Sequence, residues 1–249
     1  MTIDLNCDMG EGMANDARIM PYISSANIAC GYHAGDYDTM CRTVELCLKH
    51  SVAVGAHPGF NDKPNFGRTP IQVKQAELYD LVANQLEDLV VICKEMKATL
   101  HHVKPHGAMY TMAARDRQMS ETIAKAVYDF NPKLIYYGLS GSHMLSEAQK
   151  KGLKIANEVF ADRTYQQDRS LTPRSHEYAL IEDEQKAVKQ VLLMIKEGKV
   201  ETVDHVVIPI HAETICIHSD GKSSAKFAQS INQSLKQEGI AIRSISPSV

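Results

Sequence analysis

Histidine, carboxylate and lysine side chains recur in this sequence next to glycines, in short motifs spread along the chain. Histidine titrates near neutral pH and binds divalent metals, and carboxylates act as bases or metal ligands. A lysine supplies a fixed positive charge for an oxyanion or a phosphate. Together these residue types favour hydrolysis of an amide or an ester, and the main candidates are Asp8, Glu11, His33, Asp36, His57, Lys104, His106, His218 and Asp220.

Each of these residues, taken alone, also has a structural explanation. Loop glycines are often turn residues, and Asp36 is equally suited to capping the helix that follows it. His101 and His102 are consecutive, so at most one of them can face the inside of a strand. The joint pattern predicts a functional site, because so many polar groups would be costly to bury without a function. Isolated histidines are more often structural, and no function is assigned to His50, His143, His176 and His205.

The elements that must position these residues alternate between short strand-like runs and long helix-like segments. This alternation is typical of βα units around a parallel sheet. Strands are predicted near residues 3–8, 26–30, 52–56, 99–104, 134–137, 154–159 and 214–218. Helices are predicted over 36–50, 72–96, 141–151, 177–196 and 223–237, and residues 201–209 suggest a further short strand pair.

Nearly every predicted strand is followed at once by ionisable residues and glycine. In a β/α barrel the carboxyl ends of the strands meet on one face, so the polar residues would form one ring there. We therefore predict an α/β fold, a single distorted seven-stranded β/α barrel that forms one domain over residues 1–249. An open doubly wound sheet is the main alternative, because the pattern does not fix the strand order.

Composition and charge argue against several classes of function. The sequence has 27 Lys and Arg against 30 Asp and Glu, evenly scattered, which argues against binding to nucleic acid or an anionic membrane. Residues 1–8 lack the features of a signal peptide, and the longest apolar run, Leu89 to Cys93, is far shorter than the ~20 residues of a membrane helix. The six cysteines form no CxxC pair, which predicts reduced thiols and a cytoplasmic location.

Metal dependence is left open by the spacing of these residues. The sequence contains no HExxH motif and no paired CxxC, the patterns that would indicate a metal strongly. A divalent metal held by Asp8, His57 and His106 is therefore a hypothesis at this stage.

Longer motifs surround the same residues. In order, they are DLNCDMGEG at 4–12, NIACGYHAGD at 27–36, GAHPGF at 55–60, VKPHGA at 103–108, EVFADR at 158–163, LTPR at 171–174 and ICIHSD at 215–220. Almost end to end, the chain resembles the family of 5-oxoprolinase A subunits, also called the LamB/YcsF family of lactam-utilisation proteins. It departs from the family at Arg169 and Ser219, which stand where glycine is usual, and a positive φ at a non-glycine residue costs on the order of 1 kcal/mol.

The resemblance implies a barrel similar to the glycoside hydrolase/deacetylase type and an ATP-dependent opening of 5-oxoproline to glutamate. It also implies partner subunits B and C, ATP as co-substrate and a small lactam as substrate. The chain has no GxxxxGK[ST] loop, so an ATP site would be unconventional or shared with a partner. In this scheme the partners activate the lactam and this chain opens the ring, with the substrate held by Asn6, Arg68, Asp162, Arg163, Arg174, His218 and Asp220.

Two other functions remain open from the sequence. A stand-alone metal-dependent deacetylase or amidohydrolase would need a metal but neither ATP nor partners. A non-catalytic component would bind a lactam for other enzymes. Its affinity for the lactam would then be unaffected by removing the chemistry of His57 or His106.

Overall fold

The computed structural model describes residues 1–218 and 224–246. Its central feature is a ring of seven parallel strands, closed because β1 pairs with β2 on one side and with β9 on the other. The predicted seven-stranded β/α barrel is thus confirmed. The barrel strands are β1 (Thr2–Met9), β2 (Ser25–Ala29), β3 (Ala53–His57), β4 (Leu100–Val103), β5 (Ile135–Leu139), β6 (Lys154–Phe160) and β9 (Thr214–Ile217).

Helices cover the outside of the barrel, and the main hydrophobic core lies between the helices and the strands. Their bounds are α1 (Asp16–Ile19), α2 (Tyr37–His50), α3 (Gln75–Glu95), α4 (Gly107–Arg115), α5 (Arg117–Phe130), α6 (His143–Lys151), α7 (Glu184–Glu197) and α8 (Ser224–Gln237). In the described part of the chain, no helix is both long and apolar enough to cross a membrane.

The helices differ from the sequence predictions in three places, the first of which is the short helix α1, which was not predicted. The pair α4 and α5 was not predicted, although Asp116 caps α5 by accepting hydrogen bonds from the backbone of Gln118 and Met119. Helix α7 begins at Glu184 and not at residue 177. The preceding chain forms an irregular loop whose isolated bridges join Arg163 to Leu180 and Tyr165 to Leu171, which holds this segment outside the helix.

Among the described residues, three short strands lie outside the barrel ring. The strands β7 (Lys199–Glu201) and β8 (Val207–Pro209) form an antiparallel pair, which confirms the predicted strand pair. The strand β10 (Ala241–Ile242) was not predicted and pairs with β1. The chain after β10 reaches one end of the barrel, where Ile245 packs against a small apolar cluster of Ile135, Tyr137 and Ala156.

The inside of the barrel is polar at many positions. Alternate residues of a strand face the same side, so polar residues two apart form inward columns: Asp4, Asn6 and Asp8 along β1 are all buried. At one end of the column, Asp4 accepts hydrogen bonds from Ser24, Ser25 and Thr214. At the other end, Asp8 lies at the carboxyl ends of the strands. The interior therefore links the base of the barrel to the face where the predicted polar ring lies.

Candidate functional site

Lys104 is the central charged group of this face. It follows β4 and is only 2% exposed, and its Nζ lies 2.8 Å from Asp8 Oδ1 and 2.9 Å from Glu158 Oε1. The same ammonium donates to Cys216 Sγ at 3.0 Å. Tyr110 donates its hydroxyl to the other oxygen of Glu158 at 2.7 Å. The lysine is thus held on several sides by side chains from different strands.

The electrostatics keep both Lys104 and Asp8 charged. Burial by itself would lower the pKa of Lys104, but the carboxylate charges of Asp8 and Glu158 outweigh it and raise this pKa well above 10.5. Burial would likewise raise the pKa of Asp8, yet the charges of His57 and Lys104 hold it well below 3.8. The site therefore contains a buried ion pair at neutral pH, and removing one partner of such a pair costs about 3–5 kcal/mol.

Three histidines and one glutamate form a second cluster beside the ion pair. The ring of His33 stacks on the ring of His106 at a centroid distance of 3.7 Å, and the His57 ring lies edge-on to both. Glu11 Oε1 lies 3.4 Å from His33 Nε2, 4.0 Å from His57 Nε2 and 3.4 Å from His106 Nδ1. One ligand atom from each of the four residues lies within 4.8 Å of the others.

The hydrogen bonds of these histidines direct lone pairs into the cluster. His57 Nδ1 lies 2.6 Å from the Lys104 carbonyl, and His106 Nε2 lies 2.8 Å from the Phe66 carbonyl. Carbonyls only accept, so both of these nitrogens carry hydrogen and the neutral rings are bare at His57 Nε2 and His106 Nδ1. These two nitrogens lie 2.8 Å apart beside a carboxylate. Such facing acceptors need a proton or a cation between them.

His33 completes the cluster from the loop after β2. It is 1% exposed, and neither of its ring nitrogens has a hydrogen-bond partner among the described residues. Burial, and next the charge of His57, lowers its pKa to about 2. Burial also lowers the pKa of His106 well below 6.5. Neutral imidazoles with available lone pairs are the form in which histidine binds metals.

A cavity of about 310 Å³ opens above the ion pair, between α4 and the loop after β6. Its volume is in the range of small-molecule sites. Asp8, Glu11, Lys104 and His106 contribute to its floor, and Leu139 and Phe160 supply apolar wall. Four arginines line it as well, so that the cavity combines acid–base groups with positive charge suited to an anionic ligand: Arg68, Arg115, Arg163 and Arg174.

The structure brings most of the predicted substrate-binding residues to this cavity. His218 pairs with Asp162 through Nδ1 at 2.7 Å and stacks on Phe160. The guanidinium of Arg163 donates to the backbone carbonyls of Thr172 and Ala179, so this arginine also fixes the loop that forms the cavity wall. The predicted residue Asp220 and the departure at Ser219 lie outside the described residues.

Two further sequence observations have a clear structural outcome. Asp36 lies at the exposed N-cap of α2, where its carboxylate accepts from the Thr39 backbone N–H, and it does not join the buried cluster. Asp36 was interpreted either as a site residue or as a helix cap, and the structure shows the capping contact. Arg169, in place of the usual glycine, has φ 70°, so the expected positive φ is present.

Several residues of the site were not assigned from the sequence. Asn6 was predicted, but its neighbours were missed. Asn27 donates to both Asn6 Oδ1 and Asp8 Oδ1 at 2.8 Å, and Asn6 donates to Glu158 Oε1 at 3.0 Å. The available signal was the two-residue alternation of polar residues within strands, as in Asn6 and Asp8 or in His102 and Lys104. The additional residues are Asn27, His102, Tyr110, Glu158 and Cys216.

The depressed pKa of His33 predicts a measurable pH dependence of stability. Below pH 6.5 the unfolded chain binds a proton at His33, whereas the folded protein does so only near pH 2, so stability falls as the pH falls. As the pH is lowered, we expect the free energy of unfolding of chelator-treated protein to fall less steeply in His33→Asn than in wild type. The expected difference is about 1.4 kcal/mol per pH unit, measured by urea denaturation between about pH 6 and pH 4. Identical slopes would contradict the neutral, buried state of His33.

Comparisons with known proteins show which family the chain resembles. Residues 3–249 match the family model for the LamB/YcsF family. The chain is 50% identical to a protein from Brevibacillus brevis that is named as the A subunit of 5-oxoprolinase, with 97% of each chain covered. It is 52% identical to a protein of the same name from Shouchella clausii, again with 97% of each chain covered.

Solved structures show the same fold. The lactam utilization protein from Thermus thermophilus superposes with a TM-score of 0.93 at 39% identity, covering 98% of this chain and 100% of that chain. A family 4 carbohydrate esterase from Streptomyces lividans shares the fold at 13% identity, with a TM-score of 0.51 over 100% of this chain and 96% of that one. The family resemblance predicted from the motifs is confirmed, and the chain belongs to the LamB/YcsF family.

Proposed function

We propose that this chain is the A subunit of an ATP-dependent 5-oxoprolinase and opens the lactam ring of 5-oxo-L-proline to give L-glutamate. The relatives named as 5-oxoprolinase A subunits support this proposal, and the word subunit in their name supports the presence of partners. The proposed partners are subunits B and C, and the proposed location is the cytoplasm, where ATP is available.

The observation that carries the proposal is the buried Lys104 ammonium between Asp8 and Glu158 at the floor of a small cavity. In the activated substrate the lactam oxygen carries a negatively charged phosphoryl group. A fixed ammonium close to that oxygen stabilises the charge without reorganisation. The arginines of the cavity wall are suited to the carboxylate of 5-oxoproline, because guanidinium binds carboxylates through paired hydrogen bonds.

ATP is required in this proposal because an unstrained five-membered lactam is a poor electrophile. Transfer of a phosphoryl group to the lactam oxygen, by the partner subunits, makes the ring carbon reactive. Water then adds to that carbon, the C–N bond breaks and the ring nitrogen takes a proton. The resulting acyl phosphate gives glutamate and inorganic phosphate after a second water attacks it.

The residues of this chain have distinct tasks in that sequence. Asp8, which is ionised, can accept a proton from the attacking water. The proton that Asp8 receives can pass to the ring nitrogen, because Asp8 lines the cavity. Lys104 and the wall arginine Arg163 hold the anionic oxygens of the substrate in place.

A divalent metal is the second part of the proposal, and its most suitable ligands are Glu11, His33, His57 and His106. The facing lone pairs fit a cation, as do the His33 nitrogens, which make no hydrogen bond to any residue that the structure describes. The carbonyl contacts of His57 and His106 are those that metal-binding histidines usually make. When bound, such a metal would polarise a carbonyl oxygen or lower the pKa of a water.

The sequence suggested a metal held by Asp8, His57 and His106, but Asp8 is poorly placed to be a ligand. Its Oδ1 already accepts from Lys104, and its Oδ2 lies 3.4 Å from His57 Nε2. A second group of candidate ligands, Asp8, Cys216 and His218, contains two residues whose side chains accept from the Lys104 ammonium. The ammonium would repel a cation there, so we propose the glutamate and three histidines as the ligand set.

The metal proposal predicts one high-affinity site per chain. Calorimetric titration of chelator-treated protein with Zn²⁺ should give a stoichiometry of about one, and His33→Asn or His106→Asn should weaken binding by at least about 10-fold through loss of a ligand. The matched control is His143→Asn, because His143 is exposed and lies outside the cluster. Equal affinity in the cluster variants and the control would exclude this ligand set.

The main alternative is a stand-alone metal-dependent deacetylase or amidohydrolase. The cluster of three histidines and a glutamate at the edge of the cavity is the observation in its favour. It differs from the main proposal because it requires neither ATP nor partner subunits.

Reconstitution separates these functions. We expect release of glutamate from 5-oxoproline only when this chain, subunits B and C, and ATP are all present, because each contributes a different step. Release by this chain without ATP and partners would establish the stand-alone hydrolase. Activity of the partners with ATP that does not depend on this chain would contradict a catalytic role and leave only lactam binding.

A further inference from the structure

A hydrogen-bonded chain of side chains runs through the barrel interior and ends at Asp8. Its middle member is His102, which is fully buried on β4. His102 Nε2 lies 2.8 Å from Asn27 Oδ1, and Asn27 in turn donates to Asp8 Oδ1 and Asn6 Oδ1, both at 2.8 Å. The proposed function uses Asp8 but neither His102 nor Asn27.

The barrel has a specific space for the His102 ring. Gly55 lies beside His102 in the register of β3 and β4, and a Cβ atom at Gly55 would lie 2.0 Å from His102 Nε2. The ring also stacks on Tyr137, with centroids 4.2 Å apart. A glycine on one side and an aromatic ring on the other thus fix the position of the imidazole.

The partners of Asn27 fix which way its amide faces. Its Nδ2 group points at Asp8 Oδ1 and Asn6 Oδ1, and Asn6 Oδ1 must be an oxygen because the Asn6 amide nitrogen donates to Glu158 and Thr214. Turning Asn27 over would place its oxygen against the Asp8 carboxylate. Asn27 Oδ1 therefore faces His102, and His102 Nε2 must carry the hydrogen of that contact.

The hydrogen bonds on the far side of His102, away from Asn27, are compatible with a neutral His102 ring. His101 Nδ1 lies 3.0 Å from His102 Nδ1 and can donate to it, so two neutral rings satisfy both inner contacts. Only the contact of His101 Nε2 with the Ile245 carbonyl, at 2.7 Å, needs a further proton on His101. The half-buried His101 thus links this series of hydrogen-bonded side chains to the C-terminal segment at the base of the barrel.

We propose that His102 and Asn27 are positioning residues, which hold the Asp8 carboxylate in the orientation that Lys104 and the substrate require. The proposal rests on the proposed ring-opening function. Asp8 Oδ1 receives one hydrogen bond from Asn27 and one from Lys104, so that its second oxygen is left to face His57 and the cavity. Without Asn27, Asp8 would keep its charge partner but lose the contact that sets its rotation.

The test compares variants of His102 and Asn27 in the complete complex with ATP. His102→Phe keeps a ring in the same space but has no donor, and Asn27→Ala removes the amide. Both should lower kcat by about 10- to 100-fold and change KM by less than about 3-fold, because a misplaced catalytic group slows chemistry more than binding. His102→Gln, which keeps an N–H donor, should restore most of the kcat.

Two matched variants control for packing. Gly55→Ala leaves His102 in the sequence but removes its space, and should lower kcat like His102→Phe. Tyr136→Phe changes a buried aromatic residue of the neighbouring strand whose hydroxyl has no hydrogen-bond partner among the described residues, and should leave kcat unchanged. A folded His102→Phe protein with wild-type kcat would overturn the proposal.

A second measurement does not depend on the activity. Nitrogen-15 NMR of histidine-labelled protein, with the His102 signals identified by their loss in His102→Phe, should show Nε2 protonated and Nδ1 unprotonated at neutral pH. The opposite tautomer would overturn the proposal even if the enzyme is active. If the wild-type complex shows no ATP-dependent turnover, the proposed function fails, and the NMR result alone decides whether the interior chain is as described.

Discussion

The burial of the Lys104 ammonium is the constraint on which the rest of the site depends. A charge removed from water at this depth is tolerated only with paired carboxylates and further hydrogen-bond partners. Asp8 from β1 and Glu158 from β6 supply the carboxylates, and Tyr110 from α4 holds Glu158. Three separate elements must therefore close around one group. A closed barrel is the architecture that brings these strand ends to one point.

The same face of the barrel has two chemically different halves. On one side Lys104 provides a fixed positive charge, and the wall arginines extend it across the cavity. On the other side Glu11 and three histidines direct acceptor atoms at one another. Asp8 lies between the halves, in contact with both Lys104 and His57. A substrate in the cavity would thus meet positive charge and proton acceptors at adjacent points, which is what the hydrolysis of an amide requires.

Much of this arrangement could be predicted from the sequence because parallel strands obey simple rules. Strand and helix periods predicted the barrel, and the rule that strand ends converge placed His33, His57, Lys104 and His106 together. The position of Asp36 could not be predicted in the same way, since a capping carboxylate and a catalytic one look alike in sequence.

The polar interior was the part that the sequence patterns did not predict. Asn27 and His102 lie within strands, where a buried polar residue is recognisable only once its partners are known. Those partners come from different strands far apart in the chain, as in the contact of His102 with Asn27. Local patterns contain no information on such pairings. The two-residue spacing of His102 and Lys104 was visible, but the inward direction of both became clear only from the closed sheet.

The measurement that tests the central claim most directly is glutamate formation by the complete complex assembled with Lys104→Met. This change removes the ammonium but keeps a side chain of similar length, and circular dichroism and copurification with the partners would establish that the variant folds and assembles. The account predicts that ATP and 5-oxoproline yield no glutamate above the level seen without this chain. Glutamate formation at the wild-type rate would contradict it, because the ring would then be opened without the group on which the site is built.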